Sequence, residues 1–187
     1  MRKVILDVAI TLDGYIAGPN GEYDWCFVDQ DYGFTELLNR IDAIFYGRKS
    51  WELFGNYSPG LAASEMEKKM FEMMKSKKKY VFSTTLKSVE DAELIGSDIE
   101  AKVKKIKNEG GNDIHLFGGA SLTTSFVNLN LIDEYMLAIH PIILGSGKPL
   151  FININERKNL ELIESKVYDN GLVMLRYVPK ASVLSCE

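Results

Sequence analysis

Ile114-His115-Leu116-Phe117-Gly118-Gly119-Ala120-Ser121-Leu122 passes from an apolar run of strand length, through two glycines, into small and hydroxyl residues. That order suits a strand turning sharply into a helix. Working outward, the same passage occurs twice more. Ala43 to Tyr46 runs into Gly47-Arg48-Lys49-Ser50-Trp51-Glu52, and Tyr80 to Phe82 runs into Ser83-Thr84-Thr85. Repeated strand-to-helix turns predict an α/β fold, whose ligands sit beyond the carboxyl ends of the strands. Glycines let a ligand approach the backbone, and free N–H groups at a helix start favour phosphate. Three such seats predict a nucleotide with several phosphates.

The intervening chain reads as alternating elements in a single domain over 1–180, with 181–187 as a loose tail. Val4 to Ile10 is expected as a buried strand. Asp31 to Arg40 should be a short helix with Phe34, Leu37, Leu38 and Ile41 on one side. Arg48 to Phe54 follows as a short helix and Ala62 to Lys75 as a longer one. Met66, Met70, Phe71 and Met74 then form its apolar face and pack as ordinary core. Ser97-Asp98-Ile99-Glu100 has capping-box spacing for a helix through Ile106, ended by Gly110-Gly111. Ser121 to Leu129 is the next helix and Ile132 to His140 the next strand, stopped by Pro141. Leu160 to Tyr168 and Leu172 to Val178 flank Asp169-Asn170-Gly171, the signature of a tight hairpin. The expected sheet is therefore mixed, mostly parallel, with helices on both faces and an antiparallel hairpin at its final edge.

Composition excludes several roles. The 187 residues carry a formal charge of −4, which is no footprint for nucleic acid. The lysines at 68–69 and 75–79 read as a solvated helix end, where cations complement the dipole. Cys26 and Cys186 have no partners at metal-ligand spacing, and His115 and His140 sit inside apolar runs, so no metal site is expected. The sequence has no apolar stretch of membrane-spanning length and no signal-peptide pattern, which predicts a cytoplasmic protein without a membrane partner.

Three features bear on chemistry. The Gly118-Gly119 turn is either a tight corner or a diphosphate cradle. It lacks the spacing of a Rossmann fingerprint and the Lys-Ser/Thr ending of a triphosphatase loop. Arg48 and Lys49 at a helix start oppose its dipole unless an anion binds there. Asp7 stands in an otherwise apolar strand, sharing a face with Ala9, and must be paired, neutral or turned to a ligand cavity.

Together these segments resemble the dihydrofolate reductase superfamily. The nearer likeness is to the reductase (C-terminal) domain of the bacterial riboflavin-biosynthesis deaminase–reductase and its stand-alone relatives. It spans Val4 to about Phe151. It is carried by Thr11-Leu12-Asp13-Gly14-Tyr15-Ile16-Ala17, Gly47-Arg48-Lys49-Ser50-Trp51-Glu52, Phe117-Gly118-Gly119-Ala120-Ser121-Leu122 and Pro141-Ile142-Ile143-Leu144-Gly145. The chain shows no His-x-Glu or Pro-Cys-x-x-Cys deaminase signature, so deamination is not expected.

The resemblance implies an NADPH-dependent reductase of a small pyrimidine- or pteridine-like heterocycle, with an NADP(H)-binding sensor as the alternative. By the same resemblance, Gly47, Arg48, Lys49 and Ser50 hold phosphates, and Ser83, Thr84 and Thr85 approach the adenosine 2′-phosphate. Gly118, Gly119, Ala120, Ser121 and Leu122 hold the diphosphate, and the loop with Leu12, Ile16 and Ala17 closes beside the nicotinamide. Asp31, at the head of its helix, is either a plain cap or the carboxylate that anchors the substrate. Asp7 is the second catalytic candidate. Ala9, Trp25, Phe34 and Trp51 are candidate substrate walls. A homodimer is expected, formed through the Ile132 to His140 strand and the loop after it.

Overall fold

The computed structural model describes residues 1–55, 58–60 and 63–180. Ala62, the expected start of the long helix, and the tail 181–187 lie outside these residues. Strand β1 covers Val4–Thr11, β2 Tyr15–Ala17 and helix α1 Phe34–Arg40. Strand β3 (Ile41–Gly47) runs into α2 (Arg48–Ser50), which continues as a π-helical turn over Trp51–Gly55. Then come α3 (Glu65–Lys75), β4 (Lys78–Phe82), β5 (Glu93–Ile95), α4 (Ile99–Asn108), β6 (Asp113–Gly118) and α5 (Ala120–Asn128). Strands β7 (Glu134–His140), β8 (Lys148–Pro149), β9 (Leu160–Val167) and β10 (Val173–Pro179) complete the order.

Eight strands form one sheet in the order β5-β4-β3-β6-β1-β7-β10-β9. From β5 to β7 the pairs are parallel, while β10 is antiparallel to both β7 and β9. This is the mixed sheet with the final hairpin that the alternation and the Asp169-Asn170-Gly171 turn predict. Period-2 alternation divides the core. Leu6, Phe45, Tyr80, Ile114 and Leu116 turn to one face, where Val103 and Ile106 of α4 and Phe126 of α5 cover them. Ile5, Ile44, Tyr46 and Val81 turn to the other, under Leu37 and Leu38 of α1, Trp51, and Met70, Met73 and Met74 of α3, while Met66, expected on the same apolar face, is not part of this cluster. Each such side chain fully withdrawn from water contributes about 1.5–3 kcal/mol.

Two local expectations are corrected. Ser97 and Glu100 form no capping box. Asp98 takes a left-handed conformation at the cap, and the Ser97 hydroxyl turns to its carboxylate instead. The capping box forms at α3, where Ser64 and Glu67 bond each other's backbone N–H groups. Strand β7, through which a dimer was expected, lies between β1 and β10 and so has no free edge to offer a second copy. The edges are β5 and β9, and β9 is exposed along most of its length, with Leu162, Ile163 and Val167 at 50%, 47% and 73%.

Candidate functional site

Strands β4, β3 and β6 are neighbours and parallel, so their carboxyl ends open on one edge of the sheet. The three expected seats therefore meet in space. Gly47 and Gly118 touch most closely. A Cβ on Gly47 would come within 3.0 Å of the Gly118 carbonyl oxygen. Ser50 Oγ donates to that same carbonyl at 2.8 Å and is buried. Gly118 and Gly119 have φ of 76° and 98°, a backbone that glycine adopts at little cost. A Cβ on Gly119 would also sit 3.1 Å from Ser50 Oγ. Beyond the two glycines, α5 begins with no side-chain cap, leaving its first N–H groups for a ligand. Leu122 is buried beneath that turn.

The surrounding polar groups are differently placed. Arg48 pairs with Glu52 one turn on, at 2.9 Å, and Lys49 is exposed. Ser83 Oγ accepts from the N–H groups of Thr85 and Leu86, so this hydroxyl already closes its own turn. Thr84 and Thr85 are exposed beside it. The loop after β1 is tied down rather than loose. Asp13 accepts from Thr11 Oγ1 at 2.6 Å and from the N–H groups of Leu144 and Gly145, and the Thr11 hydroxyl first holds its pKa below the carboxylate range. Ile16 and Ala17 fall in β2, which pairs with β8, while Leu12 projects into solvent at 65% exposure.

A second group of residues occupies the face of β1 and β7 toward α1. The register Asp7↔Met136, Ala9↔Ala138, Thr11↔His140 places two alanines side by side between larger neighbours. That pair makes a shallow floor. At one end Trp25 stands edge-on to His140 at 5.2 Å, and Phe27 packs on the same ring at 5.0 Å. The N–H of Phe27 donates to His140 Nε2, leaving Nδ1–H to donate to the Ala138 carbonyl at 3.0 Å. Burial lowers the pKa of His140, which agrees with this neutral tautomer. The Trp25 indole N–H is buried without a partner among the described residues.

Toward the other end stand Asp7 and His115. Among the described residues the Asp7 carboxyl has no hydrogen-bond or ion partner, and burial pushes its pKa up to about 7. His115 is buried, contacts Phe34 and Phe117, and approaches the Asp7 carbonyl through Nε2. Burial lowers its pKa to about 4, and its Nδ1 lacks a partner. Asp31 lies outside this group. It is exposed and lies two residues before Gly33, the cap of α1, which begins at Phe34 and not at Asp31 as expected; its carboxylate accepts from the Thr35 N–H at 3.0 Å, in the first turn. Burial works to raise its pKa, but hydrogen bonds from Thr35, Phe34 and Gly33 hold it below the ordinary value. Trp51 packs on Tyr46 at 5.5 Å inside the core. It also borders a recess of about 210 Å³ with Phe54, Met74 and Lys79, none of which belongs to the glycine seats.

Comparison with known proteins agrees with this geometry. The family model of the RibD C-terminal domain matches residues 2–174. The chain belongs to the RibD C-terminal domain family. It is 49% identical over 177 residues to the uncharacterized protein YyaP of Bacillus subtilis (strain 168), covering 94% of each chain. A putative riboflavin biosynthesis protein from Shewanella sp. PV-4 superposes with a TM-score of 0.78 at 25% identity, over 96% of this chain and 99% of that one. A Thermotoga maritima diaminohydroxyphosphoribosylaminopyrimidine deaminase/5-amino-6-(5-phosphoribosylamino)uracil reductase gives a TM-score of 0.68 at 17% identity. It shares the fold over 96% of this chain and 57% of its own length. A reductase-like α/β fold is thus established.

His115, His140, Asp13 and Ala138, which faces the already assigned Ala9, carry parts of this arrangement that sequence reasoning did not assign. The signal for the histidines is a polar ring inside an apolar strand, as with Asp7. Among the described residues no group of His, Cys, Asp and Glu is arranged to hold a metal, and no helix is long and apolar enough to cross a membrane.

Proposed function

We propose that this RibD C-terminal domain protein is a cytoplasmic, homodimeric, NADPH-dependent reductase of a small heterocyclic compound. The observation that carries the reading is the contact of the Gly47–Ser50 and Gly118–Gly119 turns, which fill with backbone the space a side chain would take. Their residues fit a dinucleotide. Backbone N–H groups at the start of α5 would receive the diphosphate, Ser50 would fix the Gly118 peptide, and Arg48 with Lys49 would add cationic contacts. Ser83 and Thr84 stand one strand away, where they would meet an adenosine 2′-phosphate.

When bound, the cofactor would supply a hydride to a C=N or C=O carbon. Hydride addition leaves the electron pair on the nitrogen or oxygen, which then needs a proton. Asp7 would deliver it. Its carboxyl holds a proton near neutral pH and carries no competing partner among the described residues. Asp31 would serve the head of α1 instead, as its contact with Thr35 indicates. Trp25 and Phe34 would wall the Ala9–Ala138 floor. Asp13 would hold the loop before it closed.

The dimer reading rests on β9. An eight-residue edge strand with exposed Leu162, Ile163 and Val167 would pair with a second copy and be shielded from wrong partners. Fluorescence titration with NADPH, followed by NADPH oxidation in the presence of candidate heterocycles, tests the central reading. Absence of binding would refute it, and binding with no turnover would leave a sensor.

A further inference from the structure

From its two hydrogen bonds we infer that His140 is a positioning residue: as a neutral ring it latches segment 25–27, with Trp25 and Phe27, over the carboxyl ends of β1 and β7, and a proton on Nε2 releases that segment. The latch stands on the geometry alone. Its consequence for turnover rests on the reductase reading, which gives Trp25 to the wall of the substrate site.

Residues 18–33, between β2 and α1, belong to no helix or strand. Within them 22–24 and 28–31 are exposed, while 25–27 are half-buried against the fold. Most hydrogen bonds here are local. The N–H groups of Gly18 and Asn20 reach Glu22, that of Cys26 reaches the Tyr23 carbonyl, and Asp29 accepts from Tyr32. Among the described residues, the hydrogen bond that ties 22–30 to the sheet runs from the Phe27 N–H to His140 Nε2, at 3.1 Å. Ring contacts of Trp25 and Phe27 with the imidazole accompany it, and Tyr23 meets Phe54 at 5.8 Å.

Both partners of the imidazole have fixed roles. A backbone N–H can only donate and a carbonyl can only accept. So Nε2 is bare, and Nδ1 carries the hydrogen that goes to the Ala138 oxygen at 3.0 Å. A proton arriving at Nε2 turns that acceptor into a donor. Two N–H groups then face each other, the bond to Phe27 is lost, and a charge is left on a residue that is 3% exposed.

Among the described residues no carboxylate on the elements packed against the ring bonds to it. From β1, the register partner Thr11 gives its hydroxyl to Asp13, which the Leu144 and Gly145 N–H groups also hold, and Asp7 lies farther down the strand beside Met136. On the segment, Asp29 is engaged by Tyr32. Burial and then Asp24 push the Cys26 thiol up to about 11, so it stays neutral. On β7 and β10, Glu134 and Arg176 pair with each other and with Arg40 and Glu164. Burial therefore lowers the pKa of His140, against the smaller opposite pull of the Ala138 carbonyl. The closed form holds a proton less tightly than an opened one, whose imidazole returns to an ordinary value near 6.5. Acid below that value favours the open form, by up to about tenfold for each pH unit.

The test follows the full chain by NMR from pH 7.5 to pH 5. The imidazole nitrogen shifts report the tautomer of His140. Hydrogen exchange of the Phe27 amide, scaled to the rate of an unstructured peptide at each pH, reports the latch. Nε2 should be the unprotonated nitrogen at pH 7.5. Phe27 protection should fall several-fold toward pH 5, while core amides such as Phe45 and Leu116 keep theirs. In His140→Gln, whose side-chain carbonyl can accept from Phe27 but does not titrate, Phe27 protection should stay level. A hydrogen on Nε2 at pH 7.5, or level Phe27 protection in wild type, would overturn the inference whether or not the variant folds; a parallel fall in the variant would do the same. With a heterocycle that is turned over, KM should rise toward pH 5 in wild type and more gently in His140→Gln. Parallel KM profiles would overturn the link to the substrate site. Failure to bind or oxidise NADPH would strike the reductase reading instead, and the exchange measurement then decides the latch by itself.

Discussion

Replacing Asp7 with asparagine should make stability less dependent on pH. Burial raises the folded-state pKa of Asp7 to about 7, against an ordinary value near 4. For an acid whose folded pKa is raised, the stabilisation is complete below the unfolded pKa. It is lost as pH climbs from about 4 to about 7 and is constant above that. From about pH 5 to pH 8 the unfolded carboxyl is already ionised while the folded one gives up its proton. At 1.36 kcal/mol per unit this removes about 2.5 kcal/mol, trimmed by the partial access of Asp7 to solvent. His115 and His140 titrate in both proteins and cancel in the comparison. Urea denaturation of wild type and Asp7→Asn at the two pH values measures the difference directly. Wild type should lose up to about 2.5 kcal/mol more than the variant. Parallel losses would mean that Asp7 titrates like a surface carboxylate, and its role as proton donor near neutrality would fall with that result.

Gly119→Val should yield a folded protein that no longer binds NADPH, with a stability cost of about 1–3 kcal/mol because φ 98° with ψ 143° is a backbone region nearly confined to glycine. Normal binding would misplace the cradle. Arg48→Ala should weaken NADPH more than NADH, by about 1.5–3 kcal/mol, and equal losses would assign Arg48 to the diphosphate. Glu134→Gln should destabilise by about 3–5 kcal/mol without changing cofactor affinity, because it strands Arg40 and Arg176 in a part-buried network. Light scattering should show a dimer that Leu162→Glu splits into monomers; a monomeric wild type would remove β9 as an interface.

Much of the fold was legible because each βα unit announces itself in consecutive residues. The run Ile114 to Phe117 and the Gly118-Gly119 corner need no knowledge of distant chain to be read. What escaped depends on partners far away. Strands β2 and β8 span three and two residues and exist because Tyr15 and Ala17 meet Pro149 and Lys148. No periodicity can appear in so few positions. The interior place of the Ile132 to His140 strand was not legible for the same reason. Ile132 to His140 is apolar because two strands flank it, and composition cannot tell an unpaired strand from a doubly paired one. Ser97 to Glu100 shows the opposite failure, a correct local pattern overridden when Asp98 takes positive φ. For the site, the glycine turns were legible as strand-to-helix corners. The Ala9–Ala138 floor was not, since it arises only from the parallel register of β1 and β7.

The order of strands explains why the proposed cofactor and substrate surfaces lie side by side. From β1 the chain moves through β3 and β4 to β5, with α1, α2 and α3 on one face. It then returns to insert β6 between β3 and β1, and steps across β1 to β7, with α4 and α5 on the other face. The direction of winding thus reverses around β6 and β1, and such a reversal opens a crevice at the carboxyl ends. On one side of the crevice the strand ends carry glycine turns and the Arg48-Lys49 pair, suited to phosphates. On the other, β1 and β7 bring Asp7, two alanines, His140 and Trp25, while Arg40 and Arg176 on that face are engaged by carboxylates. A dinucleotide laid along β4, β3 and β6 would end its reactive group beside β1, facing Asp7 across the floor. On this proposed placement a change at Asp7 should alter turnover while leaving the phosphate seats untouched.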